Sequence, residues 1–132
     1  MSADPAFLTV GQVETLHRIA LERHGGHDGI RDAAGFESAV MQPRNVWYYA
    51  QGDLFDVAAA YAFHLAESQA FLDGNKRTGI GAALVFLEGN GVPVPEATAE
   101  LYAAMIAIAE RRLDKAALAG LLRHLAARVQ RP

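Results

Sequence analysis

An all-α fold is predicted by three features of this 132-residue sequence: apolar residues recurring at helical spacing, capping residues and glycines that bound those stretches, and the near absence of alternating β-type runs. With 52% hydrophobic residues the chain can bury one core of ordinary domain size. The reading is therefore a single domain over 1–132, a compact bundle of five to seven helices, with residues 1–7 expected as a flexible lead-in.

Thr9 can cap a first helix whose third position is Gln12, a capping-box spacing. Val13, Leu16 and Ala20 then share one face until Gly25-Gly26 stops it. Glycines, Asp28, Asp32 and His27 make residues 25–35 a turn-forming stretch. A short helical pattern over 36–41 follows, which Pro43 is expected to terminate, and residues 44–52 show no clear period.

Asp53 is a plausible N-cap for a helix reaching about Ser68, with Val57, Tyr61 and Leu65 on one side and many alanines that favour close approach. Ile80, Ala83, Leu84 and Leu87 give the next helix its stripe, and Gly89-Asn90-Gly91 end it. Gly79 and Gly81 each cost up to ~1 kcal/mol of helix propensity against alanine, which points to a close backbone or ligand approach near that helix start. After the extended connector Val92-Pro93-Val94-Pro95, Leu101, Met105 and Ile108 mark a further helix, and Asp114 can cap a last one carrying Leu118, Leu121, Leu122 and Leu125.

The formal charge of −3 argues against an extended nucleic-acid surface, because neutralising a phosphate backbone needs a basic excess. No stretch approaches the roughly 18 apolar residues of a membrane span, and no signal-like N-terminus is seen. The chain has no cysteine, which excludes disulfides and thiolate metal sites and makes the cytoplasm the expected location.

The segment that carries chemistry is Phe71-Leu72-Asp73-Gly74-Asn75-Lys76-Arg77-Thr78. Gly74 and Asn75 tolerate the positive φ that turns successive amides inward, and the helix that follows offers unpaired N–H groups and the positive end of its dipole. An anion fits such a place. Lys76 and Arg77 add charge, Arg77 can grip phosphate oxygens bidentately, and Asp73 can hold magnesium that shares its other ligands with phosphates and water. The competing reading is a plain Asp-Gly-Asn turn with solvated cations. Cations in a first helical turn oppose the dipole, however, a local cost that an unliganded helix has little reason to carry.

Gln69-Ala70-Phe71-Leu72-Asp73-Gly74-Asn75-Lys76-Arg77-Thr78 resembles the Fic/Doc signature, His-x-Phe-x-acid-small-Asn-Gly/Lys-Arg. Leu8-Thr9, Gly25-Gly26 with Gly29-Ile30-Arg31-Asp32, Phe36-Glu37-Ser38-Ala39-Val40 and Phe86-Leu87-Glu88-Gly89-Asn90-Gly91 extend the resemblance to the death-on-curing (Doc) toxin branch. Lys76, where Fic members carry Gly, and Ile80, where they usually carry a second arginine, favour Doc.

The resemblance implies an all-helical fold and a toxin of a toxin-antitoxin pair. It would transfer phosphate from ATP or another nucleoside triphosphate, with Mg2+, to a threonine of elongation factor Tu. Position by position it implies magnesium on Asp73, phosphates on Asn75 and Arg77, and Phe71 as an anchor, with Gly74, Lys76 and Thr78 completing the phosphate-binding turn. No built-in Ser/Thr-x-x-x-Glu-Gly/Asn inhibitor segment is found, so restraint would come from a separate antitoxin protein.

The family's catalytic histidine falls at Gln69. Glutamine has no group that titrates near neutrality and cannot act as general base, though it can orient a hydroxyl. A natural pseudo-enzyme, a substrate-assisted enzyme and an engineered substitution all stay open, as do AMP transfer of the Fic type and a non-catalytic nucleotide- or partner-binding module. His64, five residues earlier, faces another side of its helix and reads as structural. His24 and His27 with Asp28 and Asp32 match no recognised ligand spacing. Trp47-Tyr48-Tyr49 is the aromatic cluster of residues 44–52, the stretch the resemblance offers as a docking region for the target.

Overall fold

The computed structural model describes residues 3–95 and 97–129, and within them seven α-helices. Thr9 caps α1 (Val10–His24) with the complete Gln12 capping box, and Gly25 ends it at φ 77°. Asp32 caps α2 (Ala33–Met41), which begins three residues earlier than the apolar pattern suggested. Proline does not end the helical path as expected. Gln42 keeps right-handed helical angles and Pro43 opens a short α3 (Pro43–Tyr48) at the one position where its missing N–H costs nothing.

Asp53 caps α4 (Leu54–Ser68), and its partner in the box is Asp56. Then come α5 (Asn75–Gly89), α6 (Thr98–Ala109) and α7 (Lys115–Val129). The helix count falls within the expected five to seven. Among the described residues the only strand-like pairing is a single antiparallel bridge between Ile30 and Phe71.

The centre of the molecule is α4. Val57, Ala58, Ala59, Ala60 and Tyr61 are wholly buried, so this helix is apolar around its circumference and must be surrounded. It packs against α2, α3, α5, α6 and α7. The tightest neighbour is α5: a Cβ added at Gly79 would stand 2.7 Å from the Ala62 carbonyl oxygen, so the absent side chain is what lets the two backbones meet. Gly81 differs, for its added Cβ would only touch Leu16 at 3.9 Å. One contiguous core joins Phe36, Tyr61, Leu65, Phe71, Phe86, Met105 and Leu122.

Of the N-terminal segment 1–7, Met1 and Ser2 lie outside the described residues, and the rest makes contacts with the body of the molecule. Ala6 exchanges two hydrogen bonds with the Asn90 side chain, and Leu8 N–H donates to the buried Tyr61 hydroxyl at 2.9 Å. Asp4 accepts from Trp47 Nε1 and the Tyr48 hydroxyl, and Phe7 packs on Phe86 and Tyr48. The Asp4 carboxylate raises the Tyr48 pKa, because ionising the phenol would lose the hydrogen bond and set two anions together. No helix among the described residues is long and apolar enough to cross a membrane.

Candidate functional site

The segment between α4 and α5 is short and thoroughly tied. Gln69 closes α4 in the left-handed region (φ 46°, ψ 38°), and its N–H reaches back to Ala66 at 3.3 Å. Ala70 and Phe71 are buried, and their backbone pairs with the stretch before α2: Arg31 and Asp32 donate to the Ala70 carbonyl, and Leu72 donates to Gly29. Asn75 then folds its side chain back over the turn. Its Oδ1 accepts from Phe71 N–H at 3.1 Å and its Nδ2 donates to the Phe71 carbonyl at 3.0 Å.

A buried histidine of α1 supports the same turn from beneath. His17 stacks on Phe71, and its Nε2 donates to the Asp73 carbonyl at 2.8 Å, which fixes the proton on that nitrogen. The Asp73 carboxylate is oriented by the His27 amide, which donates to Oδ2 at 2.6 Å. This approach needs Gly26, whose φ of 120° suits glycine and whose added Cβ would stand 2.9 Å from the Asp73 Cβ.

Gly74, at φ 83°, starts α5 with no side-chain cap. The first amides of α5 therefore lack an intrahelical or capping partner, and they sit at the positive end of a 15-residue helix dipole. A pocket of about 360 Å3 opens over them, lined by Asp73, Gly74, Asn75, Lys76 and Arg77 together with Leu72 and the His24–Gly26 end of α1. Tyr102 of α6 forms the far wall. Such a volume lies in the range of small-molecule sites, and the donor set suits an anion. Arg77 is held at the wall: Nη1 donates to His24 Nε2 at 3.2 Å, and the guanidinium lies 4.4 Å from the Tyr102 ring centroid.

The pocket thus gathers Asp73, Gly74, Asn75, Lys76 and Arg77, and leaves out two of the residues singled out from sequence. Thr78 is fully buried, with its hydroxyl unpartnered among the described residues, and does not reach the lining. Gln69 is exposed but stands outside the pocket at the end of α4. The amide group of Asn75 is already engaged by Phe71, so its first role here is to shape the turn.

A phosphate–magnesium pair fits these groups. Asp73 presents an oriented carboxylate, and Lys76, Arg77 and the free amides supply positive charge on the same side.

The remaining candidates lie elsewhere. His64 accepts from Lys115 Nζ at 3.2 Å, and burial together with that ammonium lowers its pKa to about 4, which holds it neutral in its structural place between α4 and α7. Residues 44–52 sit at the N-terminal end of α4, where an added Gly52 Cβ would crowd Val46 and Asp56. The 15 residues of α4 put that end ~20 Å from Gln69, so this stretch does not flank the pocket.

Sequence reasoning missed His17 and Tyr102, and named His24 only in a set with no recognised ligand spacing, not as a partner of Arg77. The signal available was the series Val13, His17, Ala20, His24, which keeps one face of α1 turned towards the turn. Nothing local marks Tyr102.

The Fic/DOC family model matches residues 7–87. Over 111 residues the chain is 38% identical to "Protein kinase doc" of Escherichia phage P1, an alignment covering 74% of this chain and 87% of that protein. Over 70 residues it is 43% identical to "Toxin Doc" of Mycolicibacterium smegmatis, covering 52% of this chain and about half, 54%, of that relative.

Proposed function

The chain belongs to the Fic/Doc family, in its Doc branch, and on that premise we propose that it is a Doc-like toxin restrained by a separate antitoxin protein. Its pocket would hold ATP, or another nucleoside triphosphate, with Mg2+, and present phosphate to a hydroxyl of a translation factor, elongation factor Tu by family resemblance. The observation that carries this reading is the convergence of uncapped α5 amides, Asp73, Lys76 and Arg77 on one pocket.

The amides and Lys76 bind and orient the phosphates, and Arg77 offers a planar fork to the oxygens on which charge accumulates during transfer. Magnesium, when bound through Asp73, would neutralise phosphate charge and align the leaving group. Transfer forms a bond from the target hydroxyl oxygen to phosphorus and breaks the bond from phosphorus to the nucleotide's leaving oxygen. The hydroxyl proton must also leave. Gln69 can accept a hydrogen bond from that hydroxyl but cannot take its proton, so transfer should run ~10²–10⁴-fold below a histidine-bearing counterpart.

Histidine suits position 69, being one of the residue types most tolerant of the left-handed conformation found there. Gln69→His with ATP labelled on the γ-phosphate is expected to label elongation factor Tu. Label arriving from the adenosine end instead would assign AMP transfer. No labelling of any kind, with nucleotide still bound, would favour the non-catalytic module, a reading supported by glutamine at the position where the family carries its histidine.

A further inference from the structure

Arg77 is the pocket's most specific phosphate-binding group, yet nothing in its own helix fixes its direction. Its guanidinium is instead met by two residues from other elements. His24, the last residue of α1, accepts from Nη1 at 3.2 Å, and Tyr102, on α6, lies face-on to the guanidinium carbon at 4.4 Å. Because arginine only donates, His24 must be neutral at Nε2 in this contact, with its proton on Nδ1. All three side chains line one pocket with the α5 amides, and Tyr102 lies outside residues 7–87, the span matched to the family.

We propose that His24 and Tyr102 are positioning residues that hold Arg77 over the phosphate pocket, so that α6 contributes to nucleotide affinity without donating to the nucleotide itself. The proposal rests on the nucleotide-binding reading above. An arginine on a half-buried first turn still loses rotamer freedom when it grips a phosphate, and a prior hydrogen bond and aromatic contact reduce that loss. The ring face suits the role because it attracts the cation without neutralising it, which an acidic partner would do. His24 likewise offers a lone pair and no negative charge. The guanidinium therefore keeps its full attraction for phosphate while its direction is set.

The test uses the full chain and two readouts. In 15N-edited spectra, the Arg77 Nε–Hε signal, assigned by its disappearance in Arg77→Lys, is expected to be shifted upfield by the Tyr102 ring. Tyr102→Phe should keep that shift and Tyr102→Leu should abolish it. In calorimetric titration with ATP and magnesium, Tyr102→Leu is expected to weaken binding roughly fivefold to tenfold while Tyr102→Phe stays within about twofold. His24→Leu should weaken binding, and His24→Gln, which keeps an acceptor at similar reach, should recover it in part.

An unshifted Arg77 signal, or Tyr102→Phe binding as weakly as Tyr102→Leu at equal melting temperature, overturns the proposal while ATP binding by the unaltered chain leaves the nucleotide reading standing. A shifted Arg77 signal in a chain that binds no ATP overturns the nucleotide reading instead.

Discussion

His17 lies flat on Phe71, with ring centroids 3.6 Å apart and planes 6° from parallel. The contact joins α1 to the turn before α5, and the same imidazole donates to the Asp73 carbonyl. A side chain exposed by only 4% thus carries both the packing and the polar support of the residue proposed to meet magnesium.

His17→Ala removes that stack and leaves the Asp73 carbonyl without its donor. It is expected to lower stability by about 2–3 kcal/mol in urea denaturation. His17→Gln, which can still donate, should lose less. Equal losses in the two variants would show that the hydrogen bond contributes nothing.

Gly79 and Gly81, two of the glycines of α5, should respond in opposite directions. Gly79→Ala forces a methyl to 2.7 Å from the Ala62 carbonyl oxygen and should destabilise by about 1–3 kcal/mol, since neither backbone can yield alone. Gly81→Ala meets only an ordinary contact with Leu16 and should stabilise by about 0.5–1 kcal/mol through helix propensity. Chemical denaturation of the pair checks both signs.

Asn75→Ala removes both hydrogen bonds that fold the side chain over Phe71. The expected cost is about 1–3 kcal/mol, with faster hydrogen exchange at the Phe71 amide. Unchanged exchange would release Asn75 from this bracing role and leave it free for phosphate.

His64 gives a pH dependence whose sign follows from its environment. Burial first, and the Lys115 ammonium second, lower its pKa from 6.5 to about 4, so the unfolded chain takes up this proton more readily than the folded one. Its contribution is present in full above pH 6.5 and is lost as pH falls through 6.5 towards 4. Urea midpoints measured across that window should fall more steeply for the natural chain than for His64→Gln. Parallel curves would refute the assignment.

The sequence alone determined the helical class and most helix starts, because these depend on nearest neighbours. Thr9 with Gln12 and Asp53 with the third residue of its helix satisfy orphan amides within one turn, and both caps stand where the pattern put them. Asp73 and Gly74 to Arg77 were legible for the same reason, since a glycine turn opening a basic helix start is a local arrangement. Pro43 was misjudged because proline both stops and starts helices, and the angles of Gln42 decide which.

Tertiary structure decided what each of these residues faces. It buried Thr78, set Gln69 outside the pocket, moved residues 44–52 to the far end of α4, and bound Asp4 and Ala6 to side chains more than 40 positions away. It also brought His24 and Tyr102, 78 positions apart by their numbering, to one guanidinium. Contacts between helices depend on how buried faces settle around α4, and no short-range pattern encodes that settlement.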